Sequence, residues 1–350
     1  MLLLVGGYTI KMEENVPGKA RGISAYDFSP KDGHLEYRGF GNAVNPSYVI
    51  ADPERKIAYA VRECPDPDDP GVSAFRISRP AGGKIAFTPW GDGHLTGDHP
   101  CHVAFAGRTL VVSCYTSGSV TTFPLEDDGT IGPALQRIEL TQHERTPHAH
   151  CAVFDAPRSR VYICDLGSDC LRTFDRSAAG LLTERPEMSL DFSYGDGPRH
   201  AVLHPDGDHL IVNCEHRGRV ALVDLRGDRP REVANVPSLP ERAVENASGA
   251  AVRIGGGGRH VYVSERNYSV ITDLRVETDR QELRLRDTVP SGGERPRDIL
   301  LSPDGQWLLA GNLTNHSIGV FRVGPGGGLR LNHVVRKVPS PTSLCWMPGV

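Results

Sequence analysis

The sequence predicts an all-β chain folded as a seven-bladed β-propeller, its ring closed by a C-terminal strand that joins the N-terminal blade. Three observations carry this expectation. The 350 residues include 39 Gly and 27 Pro, close to one position in five, and both are poor formers of helix interiors. Short apolar runs rich in β-branched or aromatic residues alternate with turn residues throughout, and none extends into a 3.6-residue period. A Pro followed by such a run recurs at intervals of roughly 45–55 residues, a spacing typical of propeller blades.

The chain opens with two strand-like segments, LLLVGGYT (2–9) and GISAYDF (22–28), that no Pro-led strand precedes. Pro-led strands then follow at PSYVI (46–50), PCHVA (100–104), PHAHCAV (147–153), PRHAVL (198–203) and PRDILL (296–301), with ASGAAVRI (247–254) filling the one long gap without its Pro. Behind each comes a meander: LIVNC (210–214) and VALVDL (220–225), HVYVS (260–264) and SVITDL (269–274), WLLAG (307–311) and SIGVFRV (317–323). The turns HPDG (204–207) and SPDG (302–305) carry Asp-Gly pairs, which accept the positive φ of tight hairpins. PTSLCW (341–346) has no meander of its own, so it is expected to become the inner strand of the first blade, making residues 1–350 one domain.

A formal charge of −4, with no block of like charges, disfavours a nucleic-acid partner. The apolar run Met1–Val5 ends at Gly6 and Gly7, too short for a membrane span and without the pattern of a signal peptide, so a soluble cytoplasmic protein is expected. Eight Cys without a C-x-x-C pair read as small buried hydrophobes. Asp66, Asp68 and Asp69 fail the calcium-loop pattern, Gly255–Gly258 precede a strand rather than open a helix, and no G-x-S-x-G elbow occurs.

Superposing the repeats selects two sets of residues. Ser47, Cys101 with His102, His148, Arg199 with His200, Arg297 and Thr342 follow the leading Pro; Glu63, Tyr115, Asp165, Glu215, Arg266 and Asn312 end the second strands. Equivalent positions of a propeller ring the central channel, so both sets should meet at one mouth. His148, Arg199, Glu215 and Arg266 form a coherent chemical group: two guanidinium forks for an anion, and two groups able to move a proton. The same residues also suit an ion-pair network between blades. His102, His150, His200, Glu63, Tyr115 and Arg297 are the expected substrate contacts. His148 and His150 are expected on one strand face, as metal ligands might be, but no further ligand stands at a recognisable spacing. HERTPH (143–148) has the wrong His spacing and a Pro for the helical zinc motif. Neither metal nor cofactor is expected.

GGYT (6–9), NPSYV (45–49), GVSAF (71–75), HPCHV (99–103), TPHAH (146–150), DLGSD (165–169), GPRHAVLHPDG (197–207), YVSER (262–266) and PRDILLSPDG (296–305) together resemble the seven-bladed propeller lactonases, which include bacterial cycloisomerase-type 6-phosphogluconolactonases and fungal carboxy-cis,cis-muconate cyclases. The resemblance spans nearly the whole chain. It implies a metal-free site at His148, Arg199, Glu215 and Arg266, and hydrolysis of a negatively charged sugar lactone, with 6-phospho-D-glucono-1,5-lactone of the pentose phosphate pathway as the leading substrate. A muconate cyclase-like lactonising enzyme and a non-catalytic ligand-binding propeller are the alternatives. Departures from the family pattern stand at Ala250-Ala251-Val252, Arg62, Cys114, Cys214 and Glu265, and are expected to alter the walls of the site.

Overall fold

The computed structural model describes the chain except residues 13–15, 142–144 and 241–245, so His143 and Glu144 of the HERTPH stretch lie outside the described residues. Among the described residues the strands form seven antiparallel sheets. Blade one combines Pro341–Met347 with Leu2–Gly7, Gly22–Phe28 and Leu35–Asn42. Blades two to seven begin at Val49–Asp52, Pro100–Ala106, Ala149–Asp155, Pro198–Leu203, Gly249–Gly255 and Pro296–Leu301, and each continues outward through consecutive strands. These inner strands touch one another in an unbroken cycle from blade one through blade seven and back, which closes the ring. No helix is long and apolar enough to cross a membrane.

The second strand of each blade is the reason the chain reads as short apolar runs. Ile57–Arg62, Thr109–Cys114, His209–Cys214, His260–Glu265 and Trp307–Asn312 are buried along their whole length. Each is covered on both faces by neighbouring blades, so the usual polar-apolar alternation is suppressed. The core accordingly lies between blades: Leu3, Val5 and Tyr26 pack on Trp307, Leu309 and Ile318, while Ala251 and Tyr262 pack on Ile299 and Leu308. The eight cysteines are free thiols and seven of them are buried in this packing.

Each blade carries an outer strand that the three-strand repeat in the sequence does not include. Gln136–Glu139 and Glu282–Pro290 are largely exposed and rich in charge, so they lack the apolar signal that marks the other three.

Ring closure rests on Leu2↔Met347, Leu3↔Trp346, Leu4↔Cys345 and Val5↔Leu344. Leu2, Leu3 and Leu4 are completely buried there. Removing residues 340–350 would expose them along an unpaired strand edge. The truncated chain is expected to aggregate and to lose its cooperative thermal transition; a soluble truncate melting like the full chain would contradict this closure.

Two local features aim side chains at the channel. First, the register of the inner strand shifts where it begins: between Pro100 and His102, Ala149 and Cys151, Pro198 and His200, Gly249 and Val252, and Pro296 and Asp298. Such a bulge leaves an extra residue unpaired and re-aims it, here Cys101, His150, Arg199 and Arg297 in four of the blades. Second, in blades two to seven the residue after the second strand donates its N–H back across the blade entrance: Glu63 to Asn45 O (3.2 Å), Tyr115 to His99 O (2.9 Å), Leu166 to His148 O (3.0 Å), Glu215 to Gly197 O (2.7 Å), Arg266 to Ser248 O (3.0 Å) and Leu313 to Arg295 O (3.1 Å).

These registers correct the superposition in three places. Asp165 and Asn312 sit one residue short of the inner belt, whose positions are taken by Leu166 and Leu313. His148 is equivalent to His99 and Arg295, not to Arg199, because Ala149 rather than Pro147 occupies the place of the leading Pro, opposite Asp165 as Pro198 is opposite Cys214. His150 is therefore the bulge residue of blade four.

Candidate active site

A cavity of about 430 Å³ is lined by residues from all seven blades, which places it on the ring axis. Its polar walls include Tyr8, Glu63, Tyr115, His150, Arg199, Glu215, Arg266 and Arg297. Three larger clefts lie elsewhere: one of about 780 Å³ between blades four and five, one of about 720 Å³ between blades six and seven, and one of about 690 Å³ beside blade four. Each draws on one blade or two neighbouring blades, and groups such as Arg185, Asp224 and His260 are held in pairs with Glu187, Arg226 and Asp273, so the smaller axial cavity, which gathers residues from every blade, is the chemical candidate.

Glu215 sits between two guanidinium groups, with Oε2 2.8 Å from Arg199 Nε and Oε1 2.6 Å from Arg266 Nη2. Both arginines are also tied to the backbone of blade six: Arg199 Nη1 donates to Ala250 O at 2.8 Å, and Arg266 Nη2 to Gly249 O at 3.3 Å. Arg199 is only 2% exposed. Burial alone would raise the Glu215 carboxyl, but Arg266 and then Arg199 outweigh it and hold the group at about 2. Burial, reinforced by Arg266, draws Arg199 down to about 10, which leaves it a cation at neutral pH.

Because the folded value of Glu215 lies below its ordinary 4.5, its ion pairs stabilise the fold fully above that pH. The contribution fades as pH falls from about 4.5 to about 2. Glu215→Gln should flatten the acid limb of a stability-against-pH curve in that window, as followed by thermal melts; an unchanged limb would refute the coupling.

His148 stands at the edge of this group. Its ring stacks on Tyr115 at 4.5 Å with planes 8° apart, and it is this Tyr115, not His148, that lines the cavity. His148 Nδ1 lies 2.8 Å from the Tyr115 carbonyl oxygen. A carbonyl can only accept, so Nδ1 carries the proton and Nε2 keeps its lone pair in the neutral ring. The backbone N–H of His148 donates to Asp165 Oδ1 at 2.8 Å, and Arg172 Nε fixes the other oxygen of that buried carboxylate at 2.8 Å. A Cβ on Gly167 would lie 2.1 Å from Thr146 O and 2.6 Å from His148 Cδ2, so the close approach of DLGSD beneath TPHAH requires glycine.

His102 and His200 do not reach the cavity. With Tyr48 and His150 they form a buried ring cluster, with His102–His200 centroids 5.6 Å apart, His150–His200 5.2 Å and Tyr48–His102 4.2 Å. The bulge explains this, since it turns His150 and Arg199 toward the mouth and sends the following residue the other way. Burial first, and Arg199 second, push His150 and His200 well below the usual histidine range, so both are neutral. No group of three His, Cys, Asp or Glu among the described residues is arranged to hold a metal. Cys101 lines the cavity, but burial and then Glu63 raise its thiol well above the ordinary value, which makes it a poor nucleophile.

Tyr8 was not among the sequence candidates, although it follows the second strand of blade one as Glu63 and Tyr115 follow theirs. Its hydroxyl contacts Glu63 and Arg297. The departures from the family pattern lie behind the walls instead of in them. Ala251, Cys114 and Cys214 are completely buried in apolar packing. Glu265 accepts from the backbone N–H groups of Ser248 and Tyr268, and Arg62 pairs with Asp92 and Asp69 within blade two.

Residues 2–347 match the family model described as lactonase, 7-bladed beta-propeller. The chain belongs to that family. As an enzyme it is a lactonase. It is 28% identical to the 6-phosphogluconolactonase of Bacillus subtilis, over 97% of this chain and 96% of that one. It is 26% identical to the 6-phosphogluconolactonase of Formosa agariphila, over 91% and 92%. The structure of the periplasmic gluconolactonase of Pseudomonas aeruginosa superposes with a TM-score of 0.87 at 23% identity, covering 98% of both chains, a likeness of fold.

Proposed function

We propose that the protein hydrolyses a sugar lactone bearing an anionic group, with 6-phospho-D-glucono-1,5-lactone as its substrate, and that the whole chain acts as one unit around the axial cavity. The observation that carries this is the convergence of Arg199, Arg266 and Arg297 on a cavity of monosaccharide size in a chain that is acidic overall. The relatives named 6-phosphogluconolactonase support the choice of lactone. Such an activity belongs to the cytoplasmic pentose phosphate pathway.

In this reading Arg199 and Arg266 face the lactone carbonyl, and the charge that develops on its oxygen is met by guanidinium N–H groups already held in place by Glu215 and blade six. Each such charged hydrogen bond is worth about 1.5–3 kcal/mol. Glu215, held near 2, is too weak a base for neutral pH. The proton-moving role therefore falls to Nε2 of His148. It takes a proton from a water whose oxygen bonds to the carbonyl carbon, then returns it to the ring oxygen as the carbon–oxygen bond of the lactone breaks. Neither a covalent intermediate nor a metal is required, and EDTA in the assay should leave the rate unchanged.

The experiment is a substrate comparison: initial rates on 6-phosphogluconolactone, unphosphorylated glucono-1,5-lactone and a carboxylated muconolactone. The phosphorylated sugar lactone is expected to show the highest kcat/KM. Preference for the muconolactone would replace this reading with a cyclase-like one, and binding without turnover of any of the three would point to a ligand-binding propeller.

A further inference from the structure

Of the four arginines that line the cavity, Arg199, Arg266 and Arg297 differ in what they already hold. Arg199 and Arg266 are both ion-paired to Glu215 and hydrogen-bonded to blade six. Arg297, the bulge residue of blade seven, has no carboxylate oxygen within 4.0 Å among the described residues. Its Nη2 donates to the Tyr8 hydroxyl at 2.8 Å, and its guanidinium lies 5.2 Å from the centre of the same ring. The Tyr8 hydroxyl has one proton, and it points the other way, to Glu63, whose two oxygens lie 3.0 and 3.1 Å from it.

A phenol thus stands between a cation and a carboxylate that would otherwise close on each other. Burial would depress the charge of Arg297, but the nearby carboxylates of Glu63 and Glu215 hold it firmly protonated. Burial likewise keeps Tyr8 in its phenol form. The outcome is a full positive charge at the cavity wall, with most of its donors not committed to any anion among the described residues.

Resting on the lactonase reading above, we propose that Arg297 anchors the phosphate of the substrate at the end remote from the lactone carbonyl, and that Tyr8 and Glu63 are positioning residues that keep this guanidinium open. A direct Glu63–Arg297 pair would have to be broken before an anion could bind. The interposed phenol orients the fork through one N–H and leaves others free to grip two oxygens of a phosphate side by side. Arg199 and Arg266 are then left for the carbonyl, which divides discrimination from chemistry.

The test compares 6-phosphogluconolactone, generated in place, with unphosphorylated glucono-1,5-lactone. Arg297→Gln should reduce the ratio of kcat/KM for the phosphorylated over the unphosphorylated lactone by at least tenfold, through KM more than kcat, and Arg297→Lys should recover part of it. Tyr8→Phe should raise KM for the phosphorylated lactone in the same sense by freeing Glu63 to capture Arg297. Adding Glu63→Gln to Tyr8→Phe should restore it, a rescue that a purely structural Tyr8 would not show. Equal losses on both lactones in folded Arg297→Gln, or no rescue in the double variant, would overturn the anchor while leaving the lactonase reading intact. A wild-type protein that turns over the unphosphorylated lactone but not the phosphorylated one would instead overturn the substrate reading and the anchor with it.

Discussion

His148→Ala is expected to lower kcat on the lactone by roughly 10²–10⁴-fold, the range of a positioned proton-transfer group, with the melting transition nearly unchanged. The ring is only half-buried and stacks on Tyr115 at the edge of the cavity, so its removal leaves the blade cores untouched. Its backbone stays fixed by Asp165 and Arg172. A variant that keeps wild-type kcat would move the proton-transfer role to a group in the cavity wall itself, with Tyr115 the next in line.

Glu215→Ala should have the larger effect on stability. It leaves Arg199 and Arg266, 2% and 7% exposed, beside each other without the carboxylate that both contact. Breaking a buried ion pair by removing one partner typically costs about 3–5 kcal/mol. Denaturant unfolding should show a loss of that order, together with loss of activity. Adding Arg199→Met removes one of the two unpaired cations and should recover part of the stability without recovering turnover. A Glu215→Ala protein of wild-type stability would mean that the two arginines are solvated in a way the geometry does not show. The pair of results also separates the readings left open by the sequence. An ion-pair network that served only to join blades would make Glu215 matter for stability and His148 for nothing.

The seven blades were legible because a buried strand sandwiched between two sheets must be apolar along its length, and runs such as LIVNC and WLLAG carry that pattern openly. The outer strands were not, because half-exposed segments such as Gln136–Glu139 need little apolar content once the inner three hold the blade. The site residues were legible as an anomaly, since Arg, Glu and His have no packing reason to recur at the ends of strands. Their exact register was not. A β-bulge inserts one residue without a residue-type signature, so aligning on Pro147 placed His148 level with Arg199, and grouping His102 with Cys101 and His200 with Arg199 directed both at the cavity, which only His150 of the three expected histidine contacts reaches. Tyr8 escaped for a related reason. The first blade borrows its inner strand from the far end of the chain, so GGYT stands in the sequence without the Pro-led strand that marks the other blades.

The most direct test of the mechanism is the opening rate of freshly generated 6-phosphogluconolactone, followed by coupled oxidation of the product, for the wild-type protein beside His148→Ala/Glu215→Gln, with circular dichroism to establish that both are folded. Wild-type turnover well above spontaneous hydrolysis, falling to the spontaneous rate in the double variant, is the predicted result. A wild-type rate no faster than the uncatalysed reaction, or a double variant that keeps the wild-type rate, would contradict it.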